Sequence, residues 1–156
     1  RLEAHLTSRP YLFGARPAFA DFGLWGQVYN AWTDPTCGEI LNGSAPSVVA
    51  WVERMLEPKA TGDLEDWSRL EPTLLPLLRE QVGALFLPWS DANARAIAAG
   101  AETFRVELDG RTWSQKPQKY HAKSLAALRE RYAAVGDDAT LDRVLEAADC
   151  LRWLRA

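Results

Sequence analysis

The chain holds two histidines, His5 and His121, and two cysteines, Cys37 and Cys150. None sits at the paired spacing that a zinc site needs. Both histidines read as helix-face residues. Cys37 lies in Asp34-Pro35-Thr36-Cys37-Gly38, where no neighbouring His or Lys would lower its pKa. Cys150 follows a helix and reads as packed. There is no G-x-S-x-G elbow and no phosphate-binding glycine loop. Asp63, Glu65, Asp66 and Glu71 cluster, but such clusters mark a solvated face or a helix start, where negative charge is favoured. No catalytic, cofactor-binding or metal-ligating residue is therefore assigned, and any chemistry the chain serves needs residues from outside it.

One stretch is more suggestive. Residues 111–123 mix Lys and Arg with Trp113 and Tyr120 and carry no acid. Lys116, Lys119 and Lys123 come near helical spacing and could turn one face to an anionic ligand or an RNA backbone. The plainer alternative is a solvated basic rim beside a hairpin. Trp113, Lys119, Tyr120 and Lys123 are the candidate substrate-binding residues. The chain has seven Trp, each with a large apolar area and one N–H that wants a partner. Most should fill a helical core; two or three could line a ligand groove or a lost interface.

The elements that would position these side chains are mostly helical. Leu2 to Thr7 ends a helix, and Arg9 to Gly14 breaks it. A second helix runs from Pro17 or Ala18 to about Trp32 and is apolar nearly all round, the pattern of a central buried helix. Gly23 and Gly26 inside it each cost about 1 kcal/mol relative to Ala, so a neighbouring helix should approach closely there. Thr33 to Gly43 reads as a loop. A third helix starts at Ser44-Ala45-Pro46, with Val48, Trp51, Val52, Met55 and Leu56 on one stripe. Leu64 to Gly100 is helical with interruptions. Pro72, Pro76 and Pro88 should each start or kink a segment, and Ser90-Asp91 could cap a short helix ending at Gly100. Alternation around Asp109-Gly110 predicts a β-hairpin near residues 103–114. A helix from near Pro117 follows and stops at Gly136. Asp137 or Asp138 caps a last helix, and the tail from Leu151 to Leu154 docks. The fold class is all-α, a helical bundle with one small hairpin.

The length of 156 residues suits one domain, with Pro58–Asp63 as the only plausible linker. A net charge of −3 argues against a dedicated nucleic-acid binder, and no apolar stretch approaches the ~20 residues of a membrane span. Two unpaired cysteines fit reduced thiols in a cytoplasm. Residue 1 is Arg rather than Met, so the chain is expected to be a cut or trimmed piece.

Tyr11-Leu12-Phe13-Gly14 followed by Pro17-Ala18-Phe19-Ala20-Asp21, with Pro46-Ser47-Val48-Val49-Ala50-Trp51 downstream, resembles the C-terminal helical domain of the glutathione transferase superfamily. The likeness covers residues 2 to 57, and residues 64 to 156 resemble the long extension of some bacterial members. In that family a Ser or Thr caps the buried helix and an Asp three residues on bonds back to it, as in a capping box. Asp21 takes that structural role here. The cap position is Ala18, so half the box is missing, a loss of ~1 kcal/mol.

The resemblance implies a two-domain protein. A thioredoxin-like N-terminal domain, absent from this chain, would bind and activate glutathione as co-substrate. The helical part would supply apolar walls for a small hydrophobic electrophile, with Trp113 and Tyr120 at the rim. It also implies a homodimer of the whole protein, in the cytoplasm, with transferase activity that this chain alone lacks. The alternative is a non-catalytic interaction module, since the same fold is appended to translation factors and synthetases.

Overall fold

The computed structural model describes residues 1–155. After α1 (Leu2–Leu6) the chain turns at Tyr11–Gly14, closed by Tyr11 N–H donating to Gly14 O at 3.1 Å and Gly14 N–H to Tyr11 O at 3.3 Å. α2 (Phe19–Thr33) follows. Its N-cap, Ala18, has no side-chain oxygen, and the Asp21 N–H donates to the Ala18 carbonyl at 2.9 Å instead. The Asp21 carboxylate does more than complete a cap. Oδ2 accepts from Ala18 N–H at 2.9 Å, while Oδ1 accepts from Leu12 N–H at 2.9 Å and from the Trp51 indole N–H at 3.0 Å. The residue is fully buried.

α4 (Pro46–Arg54) also starts on an alanine, Ala45, with no capping side chain. Glu3 of α1 supplies the acceptors from a distance: Oε1 takes Ser47 N–H at 3.0 Å and Oε2 takes Val48 N–H at 2.9 Å. Burial works to raise the Glu3 carboxyl, but the Val48 and Ser47 donors outweigh it and hold it below the usual carboxylate value.

The segment expected to be a loop is largely a helix, α3 (Pro35–Ser44). Its glycines and asparagine are poor helix formers, but its start is well made. Asp34 Oδ1 accepts from Thr36 N–H at 3.0 Å and from Cys37 N–H at 2.9 Å, and Pro35 sits at the first position. α2 also departs from expectation. Trp25, Val28, Tyr29 and Trp32 pack on the core, whereas Phe19 is 80% and Phe22 52% exposed, so the helix is buried on one flank only. The close helix approach expected at Gly23 and Gly26 is absent: nothing outside the local helix lies within 4 Å of where either Cβ would stand.

The fold groups into two compact units, Arg1–Leu74 and the residues from Leu75 onward. The division falls inside α5 (Trp67–Leu77). In the first unit Leu6, Tyr11, Leu12, Val48, Trp51, Val52 and Met55 form the core. Beside it lies a buried polar network. His5 Nε2–H donates to Leu12 O at 2.8 Å. That leaves His5 Nδ1 as acceptor, with Arg9 Nη1 at 3.1 Å and Thr73 Oγ1 at 2.8 Å. Arg9 also reaches Glu65 at 3.4 Å.

In the second unit a π-helical stretch, Leu78–Phe86, leads into α6 (Leu87–Ala98), and Leu87 N–H reaches back to Val82 O. Pro72 and Pro76 lie inside α5, and Pro88 is the second residue of α6. Gly83 marks a close approach, for a Cβ there would collide with the Ala148 carbonyl. Ser90 and Asp91 are interior, buried residues of α6 rather than caps. α6 ends on Gly100, whose φ of +65° allows a Schellman closure: Gly100 N–H to Ile97 O at 3.1 Å and Ala101 N–H to Ala96 O at 2.9 Å.

The hairpin pairs β1 (Phe104–Leu108) with β2 (Arg111–Gln115), antiparallel, in the register Phe104 to Gln115 and Leu108 to Arg111. Asp109 and Gly110 both have positive φ, +50° and +70°, as a two-residue primed turn requires. α7 (Lys119–Val135) stops at Gly136. α8 (Ala139–Ala147) is capped by Asp138, which accepts from Thr140 N–H at 2.9 Å and Leu141 N–H at 3.0 Å. α9 (Leu151–Leu154) buries Leu154. Leu87, Leu125, Ala148, Cys150 and Leu154 make the second core.

Asp21→Ala would strand three N–H donors, two of them buried. We expect a loss of at least about 3 kcal/mol, more than a cap alone, with Asp21→Asn losing less. Denaturant midpoints of the variants check this. Burial chiefly, opposed by the Leu12 carbonyl and reinforced by the Arg9 charge, holds the His5 imidazole below its usual 6.5. A lowered folded-state pKa gives stability that is present above the unfolded value and lost as pH falls through the folded one. The urea midpoint should therefore fall from pH 7 to pH 5, and fall less in His5→Gln.

Candidate functional site

α6 places Trp89 and Asn93 on the side of the helix that meets the hairpin and α7. Trp89 packs edge-on against Phe104 of β1, with ring centroids 5.8 Å apart, and against His121 of α7 at 5.0 Å and 86°. Asn93, fully buried, clamps the chain just before α7: its Nδ2 donates to Gln118 O at 2.9 Å and its Oδ1 accepts from Gln118 N–H at 2.6 Å. Two residues earlier on α6, Asp91 pairs with Arg129 of α7 at 2.9 Å and with Arg95 at 2.8 Å. Arg129 Nε then donates to Trp153 O of α9 at 2.8 Å. These bonds fix α7 and α9 on α6.

The hairpin register puts Phe104, Val106, Leu108, Arg111, Trp113 and Gln115 on one face, because directly paired residues share a side. Gln115 Oε1 accepts from two indoles, Trp113 Nε1 at 2.7 Å and Trp89 Nε1 at 3.4 Å. Between this face, the end of the π-helical stretch and the start of α7 lies a cleft of about 680 Å³. Leu85, Phe86, Trp89, Leu108 and Trp113 give its apolar walls; Gln81, Gln115, Gln118 and His121 give its polar points. No Asp, Glu, Lys or Arg is among the lining residues.

Of the sequence candidates, Trp113 lines the cleft. Lys119, Tyr120 and Lys123 do not; Tyr120 is 83% exposed at the start of α7, with Lys123 Nζ 5.9 Å from its ring centroid. Lys119 and Lys123 share α7, but Lys116 precedes it, so the three do not form one helical face. Of the seven Trp only Trp51 is fully buried, and Trp89 and Trp113 are the two that line this cleft. The sequence reading missed Trp89 and Gln115, yet the Asp-Gly turn already fixes the pairing that sets Gln115 opposite Phe104.

The cleft can bind and enclose, and it holds no nucleophile. Burial, with the neighbouring Asp149 charge, pushes the Cys150 thiol up to about 11. Cys37 is exposed in the first turn of α3. Among the described residues no group of His, Cys, Asp and Glu could hold a metal ion, and no helix is long and apolar enough to cross a membrane.

Residues 1–54 match the family model described as the glutathione S-transferase C-terminal domain. This part of the chain is similar to that domain, and it lies within an all-α fold with one small hairpin. No curated protein and no solved structure matches the chain. The match includes the Asp21 and Glu3 caps; the cleft lies beyond it.

Asn93→Ala would leave the Gln118 N–H and carbonyl without their buried partner. A loss of about 2 kcal/mol is expected. Near-ultraviolet circular dichroism should report loosened packing around Trp89 alongside the lower melting midpoint.

Proposed function

We propose that this chain is the co-substrate-binding helical part of a glutathione transferase-like protein, in which a thioredoxin-like domain binds and activates glutathione. The observation that carries the reading is the aromatic cleft under the hairpin, whose size suits a small organic molecule. Its walls favour an apolar second substrate, a small hydrophobic electrophile. The family match of residues 1–54 supports the division of labour, because the matched region is by description a C-terminal domain. Glutathione carries charged ends and a thiol that needs a preorganised donor to become a thiolate. The cleft offers no charged side chain to receive those ends. Free cysteines and dimerisation of the whole protein in the cytoplasm go with this reading.

The 156-residue chain alone should neither turn over a chromogenic electrophile with glutathione nor bind glutathione in calorimetry at millimolar concentration. In the protein carrying its thioredoxin-like domain, Trp113→Ala should raise KM for the electrophile about tenfold, the loss of one aromatic wall, and leave KM for glutathione unchanged. Turnover by the chain alone, or equal effects on the two KM values, would overturn the assignment.

A further inference from the structure

The cleft has a charge and hydrogen-bond pattern that narrows what it can hold. Trp113 is 53% and Phe86 41% exposed, a large wet aromatic area lining one cleft. Covering such area is the driving force for a flat apolar ligand. A charged ligand would give up its water with no Asp, Glu, Lys or Arg on the lining to meet it. Both indole N–H groups are already taken by Gln115 Oε1, so an incoming ring meets the carbon surface of the indoles and not their donors. Gln115 is itself held by the strand register, opposite buried Phe104. Besides the His121 imidazole, the polar residues left over on the lining are amides. The Gln81 and Gln118 side-chain amides line the cleft, and each offers both donor and acceptor.

We propose that the cleft takes an uncharged, flat aromatic compound bearing a carbonyl, amide or hydroxyl group, and that Gln115 is the positioning residue that sets the two indole walls. This rests on the reading of the cleft as the second-substrate site and names the class of compound that site selects. Gln115 acts through Trp89 and Trp113, holding both rings by one oxygen so that the gap between the hairpin and the π-helical stretch stays open and flat-sided.

The test is equilibrium binding by calorimetry on the whole 156-residue chain at pH 8, without glutathione. The probes are naphthalene-2-carboxamide, its near-isosteric anion naphthalene-2-carboxylate, and the cation 2-naphthylmethylammonium. The carboxamide should bind at least about ten times more tightly than either ion. Trp113→Ala and Gln115→Leu should each weaken it about tenfold, whereas Gln115→Glu, which keeps an acceptor for both indoles, should weaken it less than about threefold. Near-ultraviolet circular dichroism confirms that each variant is folded; Trp113 is exposed enough that its variant provides the test should Gln115→Leu not fold. Equal binding of the ions, no binding of the carboxamide, or a Gln115→Glu variant as weak as Gln115→Leu would each overturn the proposal. If the carboxamide binds as expected while conjugation by the larger protein ignores Trp113→Ala, the ligand class stands and the co-substrate reading falls.

Discussion

The carboxylate of Asp21 is the interaction on which the first unit depends. It joins the Tyr11–Gly14 turn, the start of α2 and, thirty residues on, the indole of Trp51 on α4. A buried carboxylate is tolerated only when its lone pairs are met by donors, and here the backbone and one indole meet them. The same logic recurs at α4, where Glu3 stands in for a missing local cap. Both helices start on alanine, and both have their orphan N–H groups satisfied by carboxylates that also bind tertiary structure together. Secondary structure and packing are therefore not separable here: removing either acid uncaps a helix and unlinks two segments at once.

The second unit solves a different problem. It must hold a two-stranded hairpin, which is marginal by itself. Three devices anchor it: Phe104 buried under Trp89, Gln115 receiving two indoles, and Asn93 fastening the chain before α7. Each is a polar or aromatic contact to α6, so α6 is the spine of the site. Gly83 in the π-helical stretch serves the same unit by letting the end of α8 come close to the backbone.

Legibility in the sequence followed how local each cause was. The hairpin was readable because alternation and Asp-Gly act within a dozen residues, and so was the Asp138 cap of α8. The Asp21 capping role came from the family motif, but its bonds to Leu12 and Trp51 did not, because they depend on where distant chain passes. The Gly, Asn and Pro content of α3 reads as a loop, although Asp34-Pro35 is also a helix start. Burial of α2 was overread because hydrophobicity all round a helix does not say how many neighbours it has. At the site, the basic aromatic stretch 111–123 points to Trp113, while nothing local marks Trp89, Gln81 or Gln115, since their meeting needs the hairpin folded over α6.

The burial of Cys150 has a practical corollary. Its thiol is held protonated in the corner between α8 and α9, with Sγ–H donating to Ala148 O at 3.3 Å, while Cys37 stands exposed on α3. Alkylation by a maleimide therefore divides into a prompt event at Cys37 and a slow one gated by opening of the α8–α9 corner. The two thiols lie in different compact units. One chain thus carries its own clock for local unfolding of the second unit, with the first-unit thiol as the internal standard against which it runs.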